Sequence, residues 1–256
     1  MKVLLISVDG LRPDAIKDHA KAQSFVKRST YCMKARTVIP SVTLPCHMSM
    51  FHSVEPGRHG TVTNIHTPQV RPVDGICDVL TKLHKRAGFF FNWYELRDLA
   101  RPGSMEIAYY CKGGKHISWA EANDEVTDAA ISAISKDRVD FAFLYLGYVD
   151  EAGHKNGWMS DAYMDAVDNS FDNIERVVST LSDEWAVIIT ADHGGHDRCH
   201  GSDLPEDMTI PLMIFGKGIE ENRELPEASI LDIAPTVISL LGLEGADEWE
   251  GKDLLK

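Results

Sequence analysis

WAVIITADHGGHDRCHG, residues 185–201, decides how the chain is read. Its first seven residues, 185–191, form a short β-branched and aromatic run of the kind a buried strand needs. The rest is dense in imidazole and carboxylate. A buried strand that empties into Asp192 and His193 marks the edge of a sheet, where open α/β folds hold their ligands. Runs of the same kind occupy 2–8, 88–92, 105–110, 139–146 and 210–216. Segments of helical period fall between them, near 13–28, 43–54, 76–86, 119–136, 161–182 and 232–242. In the clearest of these, Tyr163, Val167, Ser170, Phe171, Ile174, Val177, Val178 and Leu181 share one face. Ser160 stands where an N-cap belongs, and Gly242 follows the last helix as a C′ residue. This alternation predicts an α/β three-layer sandwich, with a largely parallel central sheet and helices on both faces. Residues 55–75, with Pro56, Gly57, Gly60, Pro68, Pro72 and Gly75, read as a long functional loop. No repeat, low-complexity tract or linker interrupts the pattern, so one domain over 1–256 is expected.

Composition narrows the function. The 256 residues are 44% hydrophobic and 25% charged, enough apolar material to bury a core. Lys and Arg number 26 against 39 Asp and Glu, a formal charge of −13. Such a field repels polyanions, so neither a nucleic-acid polymer nor an anionic membrane surface is an expected partner. An anionic substrate must then be held by local cations. The richest apolar runs, VLLISV at 3–8 and WAVIIT at 185–190, are strand-sized and far short of the about 18 residues a membrane span needs. No charged and apolar leader precedes Lys2, and the cysteines at 32, 46, 77, 111 and 199 are odd in number and irregularly spaced. Reduced thiols and a soluble, cytoplasmic location are the expectation.

Four segments carry chemistry at the expected strand ends. Asp9 leaves the first strand and is followed by Gly10, which can take a sharp turn. Asp150 and His154, four apart, could bite one metal, with Gly153 letting the chain bend between them. Asp192 and His193 are followed within eight residues by His196 and His200. Mixed imidazole and carboxylate donors favour Zn²⁺, with Mn²⁺ or Fe²⁺ as alternatives. Thr43 opens a predicted helix, where its hydroxyl lies near backbone amides and a positive dipole end. Each piece alone also fits a plainer role: Asp9 as a turn residue, 150–154 as a polar loop, Thr43 as an N-cap.

Together, VDGLRPD (8–14), SVTLPCH (41–47), EPGRHGTVTN (55–64), VDEAGH (149–154) and ADHGGHDRCHG (191–201) resemble the alkaline phosphatase superfamily in its nucleotide pyrophosphatase/type I phosphodiesterase branch. The resemblance implies that Thr43 is the nucleophile. It implies one cation held by Asp9, Asp192, His193 and the Thr43 oxygen, a second by Asp150, His154 and His200, and a phosphate-binding Asn64. His200 is preferred to His196 because its H-G pair leads into SDLPEDMTIPLMIFG as in the family. His47 and His59 accompany motif positions without being ligands there. The family's Asn is replaced by Cys46, which is read as packing. No insertion between the ligand segments is long enough for the large cap of the sugar-phosphate mutases.

Three aspartates against two divalent ions leave about +1 at the centre, which would draw a phosphate into a −13 protein. Two cations about 4 Å apart can lower the pKa of the Thr43 hydroxyl and stabilise attacking and leaving oxygens, while Asn64 donates to a non-bridging oxygen. The expected path runs through a covalent phosphothreonine, relieved by a metal-bound hydroxide. The expected activity is hydrolysis of small phosphodiesters or nucleotide-like pyrophosphates. The 94–120 stretch could form only a small lid, in which Trp93, Tyr94, Arg97, Arg101, Tyr109, Tyr110, Lys112, Lys115, His116 and Trp119 are leaving-group contacts to consider beside ordinary packing and solvated-face roles. A phosphomonoesterase, a sulfatase-like hydrolase and a metal-binding domain without turnover are the alternatives. The sulfatase reading is weakened because C46-H-M-S-M50 lacks the Pro and Arg of C-x-P-x-R. The oligomeric state is not legible.

Overall fold

The computed structural model describes residues 1–101 and 103–256. Eight strands form one mixed sheet: β1 (Lys2–Val8), β2 (Thr30–Arg36), β3 (Ala87–Phe91), β4 (Ile107–Tyr110), β5 (Phe141–Leu146), β6 (Trp185–Thr190), β7 (Thr209–Gly216) and β8 (Arg223–Glu224). Their order is β4-β3-β5-β1-β6-β7-β2-β8. β7 runs antiparallel to both its neighbours, and the other pairings are parallel. The helices are α1 (Ala20–Lys27), α2 (Thr43–His52), α3 (Pro56–His59), α4 (Ile76–Lys82), α5 (Trp119–Ser135), α6 (Tyr148–Asn156), α7 (Asp161–Val178), α8 (Pro205–Met208) and α9 (Ile233–Leu240). α5, α6 and α7 pack on one another, and so do α2, α4 and α9. Every residue of β5 and β6 is buried, as is every residue of β1 after Lys2. Strands covered on both faces read as continuous apolar runs rather than alternating ones, which is why these three are plain in the sequence. Among the described residues no helix is long and apolar enough to cross a membrane.

Three expectations change. The helix read over 13–28 is a 3₁₀ turn, Pro13–Ile16, followed by α1. His19 separates them, its Nδ1 accepting the Ala22 N–H at 3.1 Å as an N-cap. β2 was not expected, because TYCMKAR alternates buried Thr30, Cys32 and Ala35 with Lys34 and Arg36 and never forms an apolar run. Asp150 to His154 is not a loop bent at Gly153 but the middle of α6. Gly153 is there for space: a Cβ would lie 2.7 Å from the Trp158 ring. Elsewhere the boundaries move by a few residues. Ser160 accepts from the Tyr163 N–H as the N-cap of α7, which ends at Val178, and Gly242 adopts φ +72 after α9. The 55–75 loop holds only the short α3.

The antiparallel return of β7 decides where the chemistry sits. Thr190 pairs with Leu212, so the chain between them leaves and re-enters the sheet at the same edge. Residues 191–208 therefore stay above the C-terminal ends of β1, β5 and β6, where a parallel crossover would carry them away.

Candidate active site

Asp9 follows the end of β1, and Asp192 and His193 follow the end of β6, all three buried. Gly10 takes φ +70, where a Cβ would press on Asp150 Cα at 3.1 Å, so the turn is open only to glycine. Its N–H donates to Asp192 Oδ1 at 3.3 Å. Its carbonyl accepts from Trp158 Nε1 at 2.9 Å and Tyr163 Oη at 3.0 Å. The next glycines answer close approach as well: a Cβ on Gly194 would fall 2.0 Å from the Glu206 carbonyl oxygen, and one on Gly195 2.2 Å from Trp158.

α6 supplies Asp150 and His154 from one helical face, with Nε2 of the histidine 3.4 Å from Oδ2 of the aspartate. His200 brings its Nε2 to 3.7 Å from Asp150 Oδ1 and stacks on His193 with ring centroids 3.8 Å apart. Thr43 is the first residue of α2, after Val42 as N-cap. Its hydroxyl does not cap the helix; Oγ1 lies 3.2 Å from His193 Nε2. That imidazole nitrogen is also 3.3 Å from Asp9 Oδ1 and 3.4 Å from Asp192 Oδ2.

The three histidines share one device. His154 Nδ1 meets the Arg198 carbonyl at 2.9 Å, His193 Nδ1 that of Gly194 at 2.8 Å, and His200 Nδ1 that of Ser41 at 2.8 Å. A carbonyl only accepts, so each Nδ1 must carry the proton and each Nε2 presents a lone pair inward. The ligand atoms of Asp150, His154 and His200 lie within 4.8 Å of one another, and so do those of Asp9, Asp150 and His193. Asp150 thus borders both groups, and Asp192 joins through His193.

Electrostatics show what this cluster lacks. Asp9 Oδ1, Asp150 Oδ1 and Asp192 Oδ2 are buried with no hydrogen-bond partner among the described residues. Uncompensated buried carboxylates are costly. Burial, with the charge of Asp192 added, pushes the Asp9 carboxyl up to about 7, and burial takes Asp192 to about 7 also. Asp150 is raised well above the usual carboxylate range by burial and then by Asp9 and Asp192. Burial lowers His193, and His200 to about 3, so both rings stay neutral. Three unsatisfied carboxylate oxygens and three inward imidazole lone pairs fit divalent cations of the Zn²⁺ or Mn²⁺ kind.

Other side chains complete the setting. Asn64 Oδ1 accepts the Leu44 N–H at 3.0 Å, which leaves its Nδ2 as a donor. Asn64, Thr43, Asp9 and Asp150 share a cavity of about 550 Å³ with Trp93, Lys112, Lys115 and Trp119. Two residues were not singled out or were left without a defined task in the sequence. Tyr145 donates its hydroxyl to Asp9 Oδ2 in a short contact. The signal was present: a tyrosine inside the apolar run FAFLYL must find a partner for its hydroxyl. Buried His47 reaches the Thr43 carbonyl at 2.8 Å, Ser7 Oγ at 3.0 Å and Asp192 Oδ2 at 3.4 Å, and burial lowers it to about 4. His59 bridges Ser49 Oγ and the Thr61 N–H, away from both ligand groups. His196 pairs with Asp207 at 2.7 Å instead. Cys46 is fully buried against Thr37 Oγ1, 3.2 Å away, as packing requires.

The chain is similar to several known proteins. The 2,3-bisphosphoglycerate-independent phosphoglycerate mutase of Acetivibrio thermocellus is 27% identical over 187 residues, covering 68% of this chain and 35% of the mutase. The chain spans between 26% and 35% of the length of such curated relatives. A murine ectonucleotide pyrophosphatase/phosphodiesterase 5, inactive and in complex with AMP, superposes with a TM-score of 0.78 at 14% identity, covering 100% of each chain. The lipoteichoic acid synthase of Listeria monocytogenes gives 0.76 at 17% identity, covering 99% of this chain and 75% of the synthase. These two likenesses establish the alkaline-phosphatase-like fold. Residues 3–206 match the family described as Type I phosphodiesterase / nucleotide pyrophosphatase, and the chain belongs to that family.

Proposed function

We propose that the chain is a two-cation hydrolase of small phosphodiesters or nucleotide-type pyrophosphates, acting through a covalent phosphothreonine at Thr43. One observation carries the reading: three carboxylate oxygens without a partner among the described residues cluster with three inward-facing Nε2 atoms, and that of His193 lies 3.2 Å from the Thr43 hydroxyl. Asp9, Asp192 and His193 would hold one divalent cation beside Thr43 Oγ1, and Asp150, His154 and His200 the other. Bound there, the cations would supply Lewis-acid stabilisation of negative charge on the hydroxyl oxygen and the phosphoryl group.

The chain's own groups account for the rest. α2 fixes Thr43 by its backbone, and His47 holds the carbonyl of the same residue. Deprotonated Thr43 Oγ1 attacks phosphorus, and the leaving-group oxygen departs into the cavity bordered by Lys112, Lys115 and Trp119. Asn64, its Oδ1 committed to Leu44, donates Nδ2 to a non-bridging oxygen as charge develops. Water then attacks the phosphothreonine from the opposite side and restores the hydroxyl.

Thr43→Ala tests this directly. Turnover of bis-aryl phosphates should vanish while elemental analysis still finds the metal. A variant as active as the parent rejects Thr43 as nucleophile, and a parent that binds metal but turns over no phosphoester favours a metal-binding domain without turnover. The sequence match to phosphoglycerate mutases favours one rival, phosphomonoester chemistry. Steady-state rates with bis-aryl and mono-aryl phosphates separate the two, and a wide preference for the monoester would select the rival.

A further inference from the structure

We propose that Asn92 is a positioning residue that sets α6, and with it Asp150 and His154, for cation binding. The inference rests on the cation reading of the site and goes beyond its ligands. α6 begins after Gly147, which has no side chain with which to cap it. The Gly147 N–H is instead taken by Asn92 Oδ1 at 2.9 Å, from the residue that follows β3. Asn92 is fully buried, and its amide is oriented in turn. Nδ2 donates to Asn123 Oδ1 of α5 at 2.8 Å, and Asn123 Nδ2 donates to Asn169 Oδ1 of α7 at 2.9 Å. Each amide thus has one assignment of oxygen and nitrogen that satisfies the chain, and the series runs in one direction to Gly147.

Gly147 is pinned from two sides. A Cβ there would lie 2.8 Å from Asn92 Oδ1 and 3.0 Å from Tyr145 Cε1. Tyr145 is the residue that donates to Asp9. The turn from β5 to α6 is therefore clamped between the amide that starts the helix and the phenol that touches the first ligand group. One helical turn on, Asp150 borders both groups. A small rotation at Gly147 moves Asp150 Oδ1, which has no other hydrogen bond to hold it. Partners of this kind, one bond behind the ligands, typically carry about ten- to hundredfold in metal affinity.

The test is a calorimetric titration of the full chain with Zn²⁺ or Mn²⁺, set beside melting temperature. Asn92→Leu keeps the branching at Cγ and removes the acceptor. Asn169→Ala loosens the far end of the series and leaves the Gly147 bond in place. The parent should show two binding events. In Asn92→Leu the site of Asp150, His154 and His200 should weaken about tenfold, and the other, which Asp150 only borders, clearly less. Asn169→Ala should lower the melting temperature with both affinities kept. Should the leucine variant not fold, Asn92→Ser, whose shorter hydroxyl does not reach Gly147, should show the same selective loss. Unchanged affinities with lowered stability, or an equal fall in both, would leave Asn92 a structural residue and overturn the proposal. A parent that binds no divalent cation overturns the underlying reading of the site, and this one with it.

Discussion

The two halves of the site are built differently. Asp9, Asp192 and His193 sit at strand ends with side chains 3%, 0% and 0% exposed. Asp150, His154 and His200 come from a helix and a loop, with 16%, 43% and 9% exposed. The first half is desolvated and rigid, flanked by Tyr145, His47 and the turn at Gly10. The second opens to the cavity. A cation in the buried half would exchange slowly and shape the nucleophile. One in the open half would exchange readily and face the incoming water and departing group. The difference follows from position: a strand end inside the sheet is surrounded, whereas one side of α6 meets solvent.

Variants can break or sharpen that contrast. The largest effect belongs to Thr43→Ala, which should cost at least about a thousandfold in kcat with bis-aryl phosphates and leave bound metal unchanged. A fall below tenfold would mean that water, not Thr43, attacks directly. Next comes the pairing of Asp192→Asn with His154→Ala. The buried variant should lose about a hundredfold in activity that no added metal restores, the open one about tenfold that millimolar metal does restore. Equal recovery of both would erase the distinction drawn between the halves.

Chelation gives a smaller, pH-dependent effect. Without cations, the Asp9 and Asp192 carboxyls rise from 3.8 to about 7 in the folded chain. The folded state then binds protons more tightly than the unfolded one. The stability that these two carboxyls contribute is full below about 4 and is lost as pH climbs through about 7, while buried His47 and His200, lowered to about 4 and about 3, cost stability as pH falls below about 6.5. Between pH 5 and pH 8 the chelated parent should lose several degrees more of melting temperature than a chelated Asp9→Asn, Asp192→Asn double variant, which keeps the same histidines, and restored metal should remove the parent's extra loss. Equal slopes in the parent and the double variant would contradict the burial of an uncompensated acidic cluster. The mildest change is expected of Lys112→Ala with Lys115→Ala. Both are exposed residues at the cavity rim, so KM for a substrate with an anionic leaving group should rise only about three- to tenfold, with kcat held. A matching rise with an uncharged leaving group would show that the loop shapes the cavity and does not read charge.

Much of the layout was legible because its signals are local. β1, β5 and β6 are apolar throughout, since both faces are covered, and α7 shows its buried stripe at the helical period. β2 escaped because a strand beside the sheet's far edge needs only alternate burial, and Lys34 and Arg36 interrupt the pattern. α6 read as a loop because Gly147, Gly153 and Gly157 punctuate it. Their reasons lie elsewhere in the chain, in Asn92, Trp158 and the Asp197 carbonyl.

The site divides along the same line. Residue type and spacing named Asp9, Thr43, Asp150, His154, Asp192, His193, His196 and His200 as chemically able groups, because carboxylates, imidazoles and a hydroxyl at strand ends are visible one residue at a time, and the family resemblance added Asn64 and chose His200 over His196. Which of them face one another, that Asp150 lies between both groups, and which nitrogen of His154 and His200 points inward depend on contacts between segments distant in the chain. So do Tyr145 beneath Asp9 and Asn92 behind Gly147. Local preference can propose a donor. Only the packed sheet, by excluding water and supplying carbonyls at fixed directions, decides where its lone pair points.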